Sequence, residues 1–94
     1  MTYKISVAKA WATDRYGVNG NLQTHGKQIF SYALKIGSTL RGPKGEEQKV
    51  GIDYRGKVSR TTSAHCTAVA KEADRFVSPE EFDRMLRDGW QEIA

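Results

Sequence analysis

Gln28-Ile29-Phe30-Ser31-Tyr32-Ala33-Leu34-Lys35-Ile36-Gly37-Ser38-Thr39-Leu40 is the stretch on which the fold turns. Two periods fit it. Phe30, Tyr32, Leu34 and Ile36 alternate, as one buried face of a strand requires. Ile29, Ala33, Ile36 and Leu40 recur at the spacing of a helical face. Gly26 before the run, Gly37-Ser38 near its end and the β-favouring Ile-Phe-Ser-Tyr step select the strand. That reading puts Tyr32 on the buried phase.

Working outward, the N-terminal segment also alternates. Tyr3, Ile5, Val7 and Trp11 fall on one side, with Lys4, Ser6, Ala8 and Ala10 on the other. The pattern predicts a first strand that leaves the core near Lys9, and nothing in Met1–Val7 reads as a leader. Thr13 to Gly26 reads as one long loop around the Asn19-Gly20 turn signal, a natural place for function. Arg41 to Glu47 is a turn by composition. Val50, Ile52 and Tyr54 then alternate as a further strand, with Lys57 to Arg60 extending it or forming a short fourth.

From Thr61 the period changes. Thr61 or Thr62 can cap a helix whose inner face carries Ala64, Ala68, Val69, Ala73 and Phe76. Ser78-Pro79-Glu80-Glu81 opens a second helix, with Ser78 as N-cap, Pro79 at the first helical position and Glu81 reaching back. Its apolar stripe is Phe82, Met85, Leu86, Gly89, Trp90 and Ile93. Strands first and helices last predict an α+β fold. The expected architecture, one domain over residues 1–94, is a small antiparallel sheet of three to four strands with both helices packed on one face. Its other face would carry Lys4, Lys27, Lys35, Lys49, Arg55 and Lys57 in water.

Composition narrows the function. The chain has 94 residues and a net charge of +4. Residues 1–60 hold eleven Lys/Arg against four Asp/Glu, and residues 61–94 hold four against seven. A basic part followed by an acidic part suggests two faces with different partners. There is no apolar run near the roughly 20 residues of a membrane span. The single cysteine, Cys66, excludes an intramolecular disulfide and a multi-cysteine zinc site, and suits a cytoplasmic setting.

Tests for chemistry fail on spacing. Adjacent residues on a helix point about 100° apart, so His65 cannot activate Cys66, which reads as a buried structural thiol. His25 and His65 lack the spacing that places two metal ligands on one helical face. Gly42-Pro43-Lys44-Gly45 lacks the ending of a phosphate loop and the helix that should follow it. The expectation is therefore a binding protein, not an enzyme, with no catalytic residue, metal, cofactor or small-molecule substrate. The residues expected to meet a partner or nucleic acid are Asn19, Asn21, His25, Lys27, Lys35, Arg41, Lys44, Lys49, Arg55, Lys57 and Arg60. Exposed-face aromatics are missing from this pattern apart from Tyr16 in the loop, so backbone contact is expected rather than base stacking. Trp90 reads as core rather than as an anchor for a protein partner.

Two separated pieces carry a resemblance. Phe30-Ser31-Tyr32-Ala33-Leu34-Lys35-Ile36 and Val58-Ser59-Arg60-Thr61-Thr62-Ser63-Ala64-His65 look like a pattern in small phage-encoded proteins. There, a strand with a Ser-Tyr step precedes a Ser-x-Thr-Thr-Ser-x-His entry into a helix. With its size and charge, the chain resembles small type I-F anti-CRISPR proteins over about residues 28–77. The resemblance implies binding to a host RNA-guided Cas surveillance complex, through its protein subunits, its guide RNA or both, in the host cytoplasm, so that target DNA is kept out. Its basic charge departs from acidic DNA mimics. The alternative is a small basic nucleic-acid-binding phage protein without an anti-defence role.

Overall fold

A computed structural model describes residues 5–94. The elements in chain order are α1 (Val7–Ala12), β1 (Gly17–Asn19), β2 (Leu22–Thr24), β3 (Ile29–Ser31), β4 (Leu34–Arg41), β5 (Glu47–Ile52), α2 (Arg60–Glu72), β6 (Arg75–Val77), α3 (Pro79–Arg87) and β7 (Gln91–Glu92). The fold is α+β, but richer than expected. Seven strands form one sheet in the order β1-β2-β3-β4-β5-β6, with β7 paired to β4. Neighbours are antiparallel except β5 and β6, which are parallel and joined across α2. No described helix is long and apolar enough to cross a membrane.

The first expected strand is a helix from Val7 onward, while Tyr3 and Lys4 lie outside the described residues. Ser6 caps it, its Oγ accepting from the Lys9 amide at 3.1 Å. Val7, Ala8, Ala10 and Trp11 are its buried residues. Val7 and Trp11 satisfy a period of two and an i, i+4 helical spacing alike, and the alanines settle the choice. The long loop also contains structure. Asn19-Gly20 does mark a hairpin: β1 and β2 pair around Gly20, whose φ of 62° suits the turn.

The decisive stretch is strand, yet broken twice. Tyr32-Ala33 forms a two-residue turn between β3 and β4, and Tyr32 carries a φ of 57° that such turns usually assign to glycine. Tyr32 is therefore 51% exposed, not buried. Next, β4 pairs Lys35 with Phe30 and Gly37 with Ile29, leaving Ile36 as an extra residue in a bulge. Ile36 and Gly37 consequently point the same way. A Cβ on Gly37 would lie 2.7 Å from Ile29 Cγ2 and 3.0 Å from the Trp11 ring, which explains the glycine.

That bulge sorts the helices onto opposite faces. Ile29, Ile36, Cys66 and Val69 pack with Val7, Ala8, Trp11 and Leu22, so α1 and α2 cover one face. Leu40, Val50 and Ile52 pack with Phe82 and Met85 beneath α3 on the other. The expectation that both helices share one face is thus corrected. Ser59, not Thr61 or Thr62, caps α2, its Oγ accepting from the Thr62 amide at 3.2 Å; Lys57 to Ser59 form no strand. Ser78 caps α3 as expected, with its Oγ 3.1 Å from the Glu81 amide. Glu81 turns to Arg84 instead of reaching back. Trp90 and Ile93 lie past the end of α3, although Trp90 still packs at the edge of the second core.

Lys49 is the deepest charge. It sits on the α1 side of β5, 8% exposed, under the Trp11 ring at 5.6 Å. Its Nζ donates to Gly26 O and Thr39 Oγ1, both at 2.7 Å, and to Asp14 Oδ1 at 2.8 Å. All three ammonium protons are satisfied. Replacing Lys49 by Met should cost about 2–3 kcal/mol in urea unfolding, because two buried acceptors lose their donor. Lys27→Met, which removes only an exposed pair to Asp14, should cost under about 1 kcal/mol.

Candidate nucleic-acid interface

The two faces of the sheet are covered unequally. Register and bulge give the side facing α3, from β1 to β4, the row Val18, Gln23, Phe30 and Lys35. Tyr16 and His25 follow in the same phase, with ring centroids 5.8 Å apart. Val18 is 54% and Tyr16 67% exposed. Phe30 is half-buried and belongs to neither apolar core. Lys35 marks the border, with its ammonium 5.8 Å from the Phe82 ring of α3. Beyond it no described helix covers the face.

A depression of about 400 Å³ on this open half is lined by Gln28, Phe30, Lys35, Glu92 and Ala94. Gln28 Nε2 donates to Ile93 O at 2.7 Å and to Ser38 Oγ at 3.2 Å, which ties the C-terminal strand to the sheet. Glu92 accepts from Ser38 Oγ at 2.9 Å and pairs with Lys35. The Tyr16, His25 and Phe30 rings, the side-chain amides and the Lys35–Glu92 ion pair therefore share one surface. The expectation that stacking aromatics are missing is corrected: the turn at Tyr32-Ala33 puts Phe30 on this open face.

The anticipated basic surface is dispersed. Lys27 pairs with Asp14 at 3.2 Å, Arg41 with Glu47 at 3.5 Å, Arg55 with Asp53 at 2.9 Å and Lys57 with Glu80 at 3.5 Å. Arg55 also lies 4.9 Å from the Phe76 ring. Its guanidinium holds the Asp53 carboxyl below its ordinary range. Lys49 is buried rather than on an outer face. Among the described residues Lys44 and Arg60 make no ion pair, and they stand at the β4–β5 turn and at the start of α2. Asn21 and His25 are exposed beside the open row, whereas Asn19 pairs with buried Leu22 and lies in the phase of the α1 side. Of the expected contacts, then, Asn21, His25 and Lys35 fall in the phase of this surface. Tyr16, Val18, Gln23, Gln28, Phe30 and Glu92 join them.

The two pieces that carried the resemblance meet in space on the opposite face. Ser31 Oγ lies 2.7 Å from His65 Nδ1 and 3.0 Å from Thr62 Oγ1, and Thr62 Oγ1 is 3.2 Å from Ser59 Oγ. A hydroxyl this close to an imidazole has the spacing of a nucleophile and its base. Ser31, however, is fully buried between β3 and α2, so the contact fastens the helix to the sheet. Cys66 is likewise fully buried, and desolvation pushes its thiol up from the ordinary range. Among the described residues no group of three His, Cys, Asp or Glu could hold a metal ion.

Burial pushes His65 below its usual value of 6.5. The unfolded chain therefore takes up the proton more readily, and stability rises with pH across this range. The contribution is complete above about pH 6.5 and is lost as pH falls through the lower folded value. Urea titrations of the wild type and His65→Gln should show a stability difference that shrinks between pH 7.5 and pH 5. A constant difference would refute this. Compared with known proteins, the chain matches no family model, and no curated protein or solved structure is significantly similar to it.

Proposed function

We propose that the protein is a binding protein whose open sheet face takes up single-stranded RNA. The observation that carries this reading is the uncovered row Val18-Gln23-Phe30-Lys35, with Tyr16 and His25 beside it. Stacking on ring faces is worth about 1–3 kcal/mol per base and tolerates any sequence. Gln23 and Asn21 supply donors and acceptors for base edges and the 2′-hydroxyl. A net charge of +4 assists approach to phosphates.

The resemblance to small type I-F anti-CRISPR proteins supplies the setting. In this proposal the RNA is the guide carried by a host Cas surveillance complex. A protein laid along exposed guide bases would deny them to target DNA, because sequence reading in such complexes is delegated to base pairing. The charge dispersion favours this over a general duplex-DNA binder, which needs a contiguous cationic surface.

Fluorescence anisotropy with a labelled single-stranded RNA tests the first step. Tyr16→Ala and Phe30→Ala should each weaken binding by about 1–3 kcal/mol, whereas Lys44→Ala, at the far turn, should change it little. Equal binding by all three variants would remove the sheet face from the site. Pull-down from a CRISPR-bearing host lysate tests the setting. Cas subunits should be recovered, and ribonuclease should release them. Their absence across such hosts would overturn the Cas assignment while leaving RNA binding standing.

A further inference from the structure

The carboxylate of Glu92 lies in a seat built for an anion. Lys35 offers an ammonium and Ser38 a hydroxyl at 2.9 Å, while Gln28 Nε2 braces Ser38 at 3.2 Å. Ser38 is fully buried, so its hydroxyl is fixed in place. Lys35 and Glu92 side chains each remain 32% exposed, which leaves the seat open to exchange from the solvent side. Phe30 lines the same depression. A base stacked on that ring would bring its phosphate within reach of Lys35. Phosphate oxygens and carboxylate oxygens accept from the same donors.

We infer that this seat is the phosphate subsite of the open face, and that Glu92 occupies it as an internal competitor. The inference rests on the RNA-binding reading above and adds a regulatory element to it. The C-terminal strand does not depend on this carboxylate for its position. Its backbone pairs with Leu40 and Arg41, Ile93 N donates to Thr39 O at 2.9 Å, and Gln28 holds Ile93 O at 2.7 Å. Neutralising Glu92 should therefore release Lys35 without releasing the strand. Competition of this kind lowers affinity, yet raises selectivity for ligands that combine a stacked base with a well-placed phosphate.

Glu92→Gln keeps the size and the accepting oxygen while removing the charge. Anisotropy with a single-stranded oligouridylate should show binding several-fold tighter than wild type. The slope of log affinity against log salt should steepen by about 0.7, the increment for one further phosphate contact on a single strand. Adding Lys35→Gln to Glu92→Gln should abolish both gains, and thermal unfolding would confirm that each variant folds. Affinity equal to or below wild type in Glu92→Gln overturns the competing seat, provided Phe30→Ala still weakens binding. Failure of wild type and Glu92→Gln alike to bind the oligonucleotide at low salt overturns the RNA reading, and the seat with it.

Discussion

One extra residue in β4 sets the phase of the whole sheet. Ile36 has no partner on β3, so its side chain takes the same face as the one a Cβ on Gly37 would take. Before the bulge, Leu34 points toward α2 and Lys35 toward the other side. After it, Thr39 points toward Trp11 while Ser38 and Leu40 point toward α3. A regular strand would have carried Ile36 and Leu40 onto the same face, since side chains alternate with a period of two. The bulge lets one strand feed two cores. Ile36 belongs to the core under α1 and α2, and Leu40 to the core under α3.

Lys49 fixes the other side of the sheet. The loop after α1 and the Gly26 corner carry no apolar anchor of their own, yet both must lie against the sheet. The ammonium reaches Asp14, Gly26 and Thr39 at once. Asp14 adopts a φ of 58°, and a Cβ on Gly26 would lie 2.9 Å from the Asp14 backbone, so the two segments touch directly. Burying a charge is tolerable only when its protons are all satisfied. Here they are, with the Trp11 ring adding a cation–π contact. A residue that looked like part of a basic surface is instead the pin that holds the hairpin corner.

What was legible in the sequence was local chemistry. Ser78-Pro79 announced α3, and Asn19-Gly20 and the Arg41–Glu47 segment announced turns, because capping and positive φ act within a few residues. The strand character of residues 28–40 was also readable. Its phase was not. Tyr32-Ala33 lacks the usual turn residues, and a bulge leaves no composition of its own. Of the helical set, Ile29, Ile36 and Leu40 are buried, though in a strand interrupted twice, while Ala33 is exposed in the turn. In α1 the ambiguity ran the other way, with a helix hidden in an alternating pattern. Site residues suffered from the same cause. Phe30 could be placed on the open side only once the turn was known, and Lys49 could be removed from the surface only once Asp14 and Gly26 were brought to it.

The unequal cover of the sheet is a consequence of length. At about 4.8 Å between strands, six neighbouring strands span roughly 24 Å. A helix about 10 Å across shields little more than two of them. Two helices lie on one face, but among the described residues α3, with nine residues, is the only helix on the other. It seats over Leu40, Val50 and Ile52 because those residues form the apolar end of that face. The remaining end, from β1 to β3, carries Val18, Gln23 and Phe30, a mixture too polar to demand burial and too aromatic to be a plain solvated surface. A short chain that spends its second helix on sealing one face must leave half of the other exposed. Partial aromatic character there, next to a seated carboxylate, is what the proposed RNA-binding face rests on.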